Sequence, residues 1–220
     1  MSKLVIAKNL TIKYGDNVVI NNASFHVNSQ DFVFLTGVSG SGKTSIIKAM
    51  YGEIPCYGDL FIGEFNVSNI KRSSLSLLRR HLGIVFQDFK LIPEWNVLKN
   101  VMLPLLISGV DKKDAEKIAL NYLKQVNLAH KADKYPLELS GGEQQRVAIV
   151  RAIIHNPVLI LADEPISGLD EYSASLVMEL FIRAQKLGIS VLIASHSLPP
   201  TFEVNYRHLH IDKGKIHELC

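Results

Sequence analysis

Eight residues between an apolar run and a helical pattern have the types and spacing of a phosphate-binding loop. They read Gly37-Val38-Ser39-Gly40-Ser41-Gly42-Lys43-Thr44, and Ser45 follows them. The glycines allow backbone N–H groups to converge on an anion, and the helix N-terminus adds positive potential. Lys43 can reach the β- and γ-phosphates of a nucleotide, and the Thr44 hydroxyl can bind Mg²⁺. We predict a nucleotide site at this phosphate loop (residues 37–44), with a structural glycine-rich turn as the alternative.

Two adjacent carboxylates, Asp163 and Glu164, follow the apolar run of residues 159–162. The run is typical of a buried strand, and ligands bind at the carboxyl ends of strands in open α/β sheets. One carboxylate can hold Mg²⁺, usually through water, and the other can orient an attacking water. On its own, an acidic strand end is also common where a strand merely leaves the core. Together with the phosphate loop it predicts nucleotide hydrolysis, with Glu164 favouring an active hydrolase.

A second glycine-rich sequence, Leu139-Ser140-Gly141-Gly142-Glu143, begins another predicted helix. Ser140 and Glu143 have the spacing of a capping box, which satisfies the first backbone donors of a helix. A capping box does not explain two glycines, since each costs up to about 1 kcal/mol relative to alanine in a helix. Glycines leave a helix N-terminus accessible to phosphate. This glycine motif (residues 139–143) is therefore a second candidate anion site.

Hydrophobic patterns predict an α/β fold with a largely parallel core sheet, because an antiparallel start is followed by alternating strands and helices. Predicted strands cover residues 4–7, 18–20, 23–27, 31–36, 82–86, 159–162 and 191–194, and predicted hairpins cover 58–64 and 207–218. Predicted helices follow Thr44, occupy much of 95–137, and cover 140–154 and 171–187. The apolar residues expected on helix faces are Ala115, Ile118, Ala119, Tyr122 and Val126 in a helix capped by Asp111, and Leu176, Leu180, Phe181 and Leu187 in another.

The composition of the 220 residues excludes several classes of protein. With 47% hydrophobic and 20% charged residues, the chain is not expected to be disordered, collagen-like or a coiled coil. A net charge of +3 gives no reason to expect nucleic acid binding. Cys56 and Cys220 lack the spacing of a disulfide framework and are expected to be free thiols. No apolar run reaches the roughly 18 residues of a membrane span, so we expect membrane association through a partner.

In chain order, the phosphate loop, the glycine motif and the acidic strand end resemble the nucleotide-binding domain of ABC ATPases. Four single residues fit the same family. Tyr14 matches the aromatic residue that stacks on adenine, and Gln87 matches the glutamine loop. Asp170 ends a sequence similar to the D-loop, and His196 matches the switch histidine.

This resemblance implies an ATP hydrolase of the P-loop NTPase fold that forms a head-to-tail homodimer around two ATP molecules with Mg²⁺. The implied domain has a core of residues 1–94 and 139–220, which includes an antiparallel β subdomain, and an inserted helical subdomain of residues 95–138. ATP would contact Tyr14, Gly37, Val38, Ser39, Gly40, Ser41, Gly42, Lys43, Thr44 and Ser45 of one chain and Ser140, Gly141, Gly142 and Glu143 of the other. The implied catalytic residues are Glu164, His196 and Gln87, the implied metal ligands are Thr44, Gln87 and Asp163, and Asp170 would link the two sites.

Within the family, residues 83–93 and the pairs Asn100-Val101 and Pro104-Leu105 resemble cassettes of bacterial cell division. That resemblance implies an integral membrane partner of the FtsX type, at the cytoplasmic face of the inner membrane. Lipoprotein-release and MacB-type export cassettes share most of these features and remain alternatives. A soluble ABC ATPase of DNA repair or translation and a nucleotide switch without turnover are further alternatives.

Two groups of residues have two interpretations each. Phe89, Leu91 and Ile92 are either contacts for the membrane partner or core residues. Three histidines of the terminal hairpin are either metal ligands or part of a solvated strand face, and we favour the strand face: His208, His210 and His217. His155 is expected to cap the C-terminus of a helix.

Overall fold

The structure, a computed structural model, describes residues 2–199 and 204–219. Its strands are β1 (Lys3–Tyr14), β2 (Asn17–Asn28), β3 (Phe32–Gly37), β4 (Tyr57–Ile62), β5 (Phe65–Asn66), β6 (Leu82–Val85), β7 (Leu159–Asp163), β8 (Ser190–Ser195), β9 (Arg207–Asp212) and β10 (Lys215–Leu219). Its helices are α1 (Lys43–Met50), α2 (Arg72–Arg80), α3 (Val97–Ile107), α4 (Lys112–Gln125), α5 (Gly141–Ile153) and α6 (Glu171–Lys186). Cys56 is a free thiol, as expected, whereas Cys220 lies outside the described residues.

Strands β1 and β2 form a long antiparallel pair in the smaller sheet, whose order is β2-β1-β4-β5. The sequence patterns predict three short strands here, and this prediction is wrong because bulges interrupt the alternation of apolar residues. Asn9 and Asn22 each adopt a φ of 51°, and the register between the strands shifts beside both. An extra residue in one strand moves the following side chains to the opposite face.

The larger sheet has the order β10-β9-β3-β8-β7-β6 and is parallel except for the β9–β10 hairpin. Strands β3, β7 and β8 are buried over their whole length, as expected for a parallel sheet that is covered on both faces. In β3, Phe32 and Phe34 belong to a hydrophobic cluster with α3 to α6. Val33 and Leu35 belong to a second cluster with α1 and the smaller sheet. The predicted α/β fold with a mainly parallel core sheet is therefore confirmed.

The helices follow the predicted order, but two predicted inward residues are exposed. The Asp111 side chain caps α4 by accepting a hydrogen bond from the Lys113 backbone N–H at 2.8 Å. Ile118 is exposed because it lies beside the narrow buried stripe of this helix. Leu187 is 75% exposed because α6 has ended before it, and Gly188 then turns the chain with a φ of 93°.

Helices α3 and α4 lie between β6 and α5 in the chain and pack against α5 in the first cluster. They fall in residues 95–138, for which a helical subdomain is predicted. Within residues 2–199 and 204–219, none of the helices combines the length and apolar character needed to cross a bilayer.

Candidate active site

The N-terminus of α1 is open, which is the first requirement of an anion site. Its N-cap residue is Gly42, no described side chain caps it, and its first turn holds no acidic residue. Gly42 adopts a φ of 107°, and a Cβ there would lie 2.7 Å from Ile20 Cδ1 and 2.8 Å from Val19 Cγ1. Only glycine fits between the loop and β2, so the first N–H groups of α1 remain available to a ligand.

Lys43 lies folded back over the phosphate loop. Its Nζ donates hydrogen bonds to the carbonyl of Gly37 at 2.8 Å and to that of Val38 at 3.3 Å. The same Nζ lies 3.6 Å from Glu164 Oε1, and the lysine side chain is 6% exposed. A buried cation held by neutral carbonyls can exchange them for phosphate oxygens, because hydrogen bonds between charged groups are stronger.

The acidic strand end lies beside the first turn of α1. Burial raises the pKa of Asp163 above its ordinary value, although a hydrogen bond with the Thr44 side chain acts in the opposite direction. Asp163 Oδ1 is buried without a hydrogen-bond partner among the described residues. A carboxylate with a free oxygen next to a hydroxyl is an oxygen donor set of the kind that Mg²⁺ binds. Thr44 and Asp163 therefore fit the predicted metal.

Glu164 is placed by a sharp turn at the end of β7. It adopts a φ of 45°, and its backbone N–H donates to the Ala194 carbonyl at 2.9 Å. The turn brings Oε1 to 3.3 Å from His196 Nε2, in addition to Lys43. No described residue forms a hydrogen bond with this buried oxygen, so it can accept one from a water or a ligand.

One cavity of about 330 Å³ brings nine of the predicted residues together. It is lined by Val19, Ser39, Gly40, Gly42, Lys43, Thr44, Ser45, Gln87, Glu164 and His196. Val19 was not predicted, because an apolar residue of an edge strand gives no chemical signal in the sequence. Two predicted residues lie beside the cavity: Ser41 Oγ is buried without a described partner, and Tyr14 Oη lies 3.2 Å from Ser45 Oγ. The predicted stacking of Tyr14 on adenine stays a prediction.

The glycine motif lies outside this cavity and caps its own helix. Ser140 Oγ accepts a hydrogen bond from the Glu143 N–H, and the Glu143 carboxylate accepts one from the Ser140 N–H. A Cβ at Gly142 would lie 2.6 Å from Ser173 Oγ in α6, whereas one at Gly141 would meet only Leu169 at 3.8 Å. Packing against α6 therefore accounts for Gly142, and only Gly141 is left without a structural explanation.

Asp170 is the N-cap of α6, where it accepts a hydrogen bond from the Ser173 N–H at 2.9 Å. It therefore lies near the glycine motif, at the helix end that packs against Gly142. The proposed link between two sites is not visible in a single chain.

Two basic residues that the sequence analysis missed hold the segments next to the predicted site. Lys131 Nζ lies 2.5 Å from Glu143 Oε1. Arg151 donates to the carbonyls of Phe89 and Lys90, each at 2.8 Å, and burial lowers the pKa of this arginine to about 10. Phe89 and Lys90 adopt φ values of 59° and 47°, so Arg151 stabilises a strained segment just after Gln87. Neither basic residue is marked by local spacing, because its partners lie far along the chain.

Three histidines outside the cavity, which the sequence analysis singled out, have structural partners. His208 Nε2 and His210 Nδ1 lie 2.6 and 2.8 Å from Thr36 Oγ1, so these two rings are not simply solvated. The described residues contain no cluster of three or more metal-binding side chains. His155 Nε2 lies 3.2 Å from the Leu82 carbonyl in β6, so its predicted role as a helix cap is wrong.

Comparisons with known proteins identify the family of the chain. The sequence profile of the family described as ABC transporter matches residues 20–167. The chain is 35% identical over 204 residues to the cell division ATP-binding protein FtsE of Escherichia coli K12, with 92% of each chain covered. It is 41% identical over 195 residues to the lipoprotein-releasing system ATP-binding protein LolD of Buchnera aphidicola, with 86% of each chain covered.

A solved structure extends the similarity to the whole fold. It is the dimeric, post-hydrolysis state of the ATP-binding cassette MJ0796 bound to ADP and Pi, with a TM-score of 0.86 and 31% identity. The match covers 98% of this chain and 97% of that one. The family predicted from the motifs is confirmed: this chain belongs to the ABC transporter family and is an ATPase of its ATP-binding cassette type.

Proposed function

We propose that this ABC ATPase binds ATP and Mg²⁺ in the cavity around Lys43 and hydrolyses ATP as a head-to-tail homodimer. In this proposal, hydrolysis drives a conformational change in an FtsX-type membrane protein during bacterial cell division. The observation that carries the proposal is the convergence of three groups at the open end of α1. Lys43 Nζ and His196 Nε2 lie 3.6 and 3.3 Å from the same oxygen of Glu164.

In this proposal, four side chains of the cavity have distinct tasks. Lys43 exchanges its two loop carbonyls for oxygens of the β- and γ-phosphates. Glu164 accepts a hydrogen bond from a water and orients it in line with the γ-phosphorus. The water oxygen forms a bond to phosphorus as the bond to the bridging oxygen breaks and a proton of the water passes to the Glu164 carboxylate, which yields ADP and Pi. His196 donates to the γ-phosphate, and Gln87 contacts the water or the metal.

Mg²⁺, when bound, neutralises charge on the β- and γ-phosphates. Thr44, Gln87 and Asp163 are the residues that would hold it. The buried, unpartnered Oδ1 of Asp163 supports this assignment.

The position of the glycine motif supports the homodimer. Ser140, Gly141, Gly142 and Glu143 do not line the cavity of their own chain, so they would reach ATP from a second copy. The phosphate would then lie between two positive helix ends, α1 of one chain and α5 of the other. In this assembly the core comprises residues 1–94 and 139–220, and residues 95–138 form the helical subdomain.

A groove of about 640 Å³ between α2, α3 and α5 supports docking of a membrane partner. Apolar residues such as Phe86, Ile92 and Ile107 line it, together with the basic residues Arg72, Arg79, Arg80, Lys90 and Arg151. Among residues 2–199 and 204–219, no acidic residue lines the groove, which favours an apolar partner segment that carries carboxylates. Of the predicted contacts, Ile92 lines the groove, whereas Leu91 packs against the core.

The identity to FtsE supports the cell-division role, and the identity to LolD supports lipoprotein release as the alternative. In either case the cassette would sit on the cytoplasmic face of the inner membrane through its partner. Purification of the chain from solubilised membranes distinguishes the two. A bound protein with four spans and a large extracytoplasmic loop between the first two supports the FtsX type.

Charge reversal tests the groove. Arg72→Glu with Arg80→Glu is expected to reduce recovery of the membrane partner, because both exposed arginines border the groove. Lys112→Glu with Lys113→Glu, on the exposed start of α4, is the matched control. Equal recovery with both double variants would place the partner elsewhere.

Release of phosphate from ATP tests the catalytic assignment. Glu164→Gln is expected to lower kcat at least about 100-fold, because the amide cannot act as a base. Glu171→Gln changes an exposed carboxylate outside the cavity and is expected to retain activity. Equal turnover by Glu164→Gln and the unmodified protein would show that Glu164 is not catalytic. If neither protein hydrolysed ATP with the membrane partner bound, the chain would be a nucleotide switch.

A further inference from the structure

Glu143, the third residue of α5, has both carboxylate oxygens engaged within its own chain. Oε2 accepts a hydrogen bond from the Ser140 N–H at 2.9 Å, and Oε1 lies 2.5 Å from Lys131 Nζ. The side chains of Lys131 and Glu143 are only 27% and 18% exposed. Burial acts to raise the pKa of Glu143, but the hydrogen bonds from Lys131 and Ser140 and the lysine charge outweigh it and hold the pKa below its ordinary value. Glu143 is therefore an anion at neutral pH.

In the proposed dimer, this carboxylate stands at the helix end that receives the γ-phosphate bound by the other copy. A carboxylate in the first turn stabilises a helix on its own, but it repels a second anion brought to the same turn. The Glu143 N–H donates to a lone pair of Ser140 Oγ at 3.3 Å, which leaves the serine proton to be donated to phosphate. The first turn of α5 therefore needs the Glu143 side chain to keep its shape, and it needs a nearby cation to offset the negative charge of Glu143.

We propose that Lys131 is a positioning residue of the dimer site, because its ammonium group neutralises Glu143 and holds the Ser140–Glu143 capping box in the shape that receives phosphate. This role rests on the proposed function, since only an ATP-bridged dimer brings phosphate to α5. Lys131 ends a 3-10 turn, Ala129–Lys131, in the segment before α5. Arg146 adds a second positive charge, with Nη1 3.8 Å from the place of a Cβ on Gly142, so loss of Lys131 weakens the site without abolishing it.

Dimerisation by ATP tests this role in protein that carries Glu164→Gln to block hydrolysis. Lys131→Met is expected to raise the ATP concentration for half-maximal dimerisation about tenfold, and high salt reduces the difference because it screens the repulsion. Adding Glu143→Gln to Lys131→Met restores dimerisation, because the amide oxygen still accepts the capping hydrogen bond. Lys131→Arg keeps the charge and retains dimerisation, including where Lys131→Met proves unstable.

Lys134→Met is the matched control. Lys134 pairs with Glu138 at 2.8 Å in the same segment, and its loss leaves dimerisation unchanged. Binding of a fluorescent ATP analogue to the monomer and thermal unfolding, measured on every variant, separate a charge effect from misfolding.

Two results overturn the role of Lys131 alone while the proposed function stands. One is a Lys131→Met variant that dimerises like its Glu164→Gln parent, and the other is a Lys131→Met, Glu143→Gln variant that stays as defective as Lys131→Met. A parent that fails to dimerise at any ATP concentration overturns the proposed function and this role with it.

Discussion

Glycine is the N-cap of α1 and the first residue of α5, and the N-termini of these two helices differ in what occupies them. At α1 the N-cap is Gly42, and neither a capping side chain nor a first-turn carboxylate is present among the described residues. At α5 the Ser140–Glu143 box caps the helix, and Lys131 pairs with the carboxylate. The first end is open and lined by Lys43, so one chain forms most of an anion site. The second end is satisfied within its chain, and in the proposed homodimer it gains a ligand from the other copy.

The glycines of the two motifs also serve different purposes. Gly42 has a φ of 107° and no space for a Cβ, because β2 packs against it. Gly142 lies within the helix and is required by its contact with Ser173. A glycine-rich helix start is therefore not in itself a phosphate site, and the neighbours of each glycine decide its role.

Loss of Lys43 should have the largest effect on ATP hydrolysis. It tests whether the anion site at the N-terminus of α1 depends on this lysine. Lys43→Ala removes the only lysine that lines the cavity within the described part of the chain, so we expect kcat/KM for ATP to fall at least about 100-fold. Lys48→Ala is the control, since Lys48 lies on the same helix but pairs with Glu53 outside the cavity. Steady-state phosphate release measures both, and similar losses in the two variants would contradict a special role for Lys43.

Alanine at the two glycines of α5 should produce a smaller effect, on stability. Gly142→Ala is expected to destabilise the fold by about 1–3 kcal/mol, because its Cβ would overlap Ser173. Gly141→Ala has space and should be neutral or stabilising by up to about 1 kcal/mol, because alanine favours helix. Denaturant unfolding compares them, and adding Ser173→Gly should recover part of the loss in Gly142→Ala. Equal stability of the two alanine variants would contradict the assignment of Gly142 to packing.

The pH dependence of stability should show the smallest effect, with opposite signs at the two ends. The lowered pKa of Glu143 means that its contribution is present above pH 4.5 and is lost as pH falls through the folded-state value. The pKa of Asp163 is raised from 3.8, mainly by burial, so its ionisation destabilises the fold as pH rises. Asp163→Asn should therefore raise the melting temperature at pH 7, and Glu143→Gln should flatten the loss of stability below pH 4.5. If the two substitutions changed the melting temperature at pH 7 in the same direction, the contrast between the two carboxylates would be contradicted.

Local sequence signals account for the parts of the site that lie close together in the chain. The phosphate loop is visible from its spacing, and the acidic strand end is visible from the apolar run before it. Gln87, Glu164 and His196 meet because they follow β6, β7 and β8, which are neighbours in one parallel sheet. The acidic strand end alone predicts a role for Glu164, whereas the roles of Gln87 and His196 rest on the family resemblance. The order of the strands, which brings the three residues together, is visible only in the structure.

Contacts between distant segments could not be predicted from the sequence. Three such contacts depend on tertiary structure: Gly142 packs on Ser173, Lys131 pairs with Glu143, and Arg151 donates a hydrogen bond to the Phe89 carbonyl. The lengths of β1 and β2 could not be predicted either, because the bulges at Asn9 and Asn22 interrupt the alternation of apolar and polar residues on which strand prediction relies.

Light scattering of the Glu164→Gln protein during size-exclusion chromatography, with saturating ATP and Mg²⁺, tests the central claim most directly. We expect the mass to double on addition of ATP and to return to that of one chain with ADP, because the γ-phosphate holds the two helix ends together. Lys43→Ala in the same protein should remain a single chain. If Glu164→Gln stays a single chain although ATP is bound, the two-copy site is wrong.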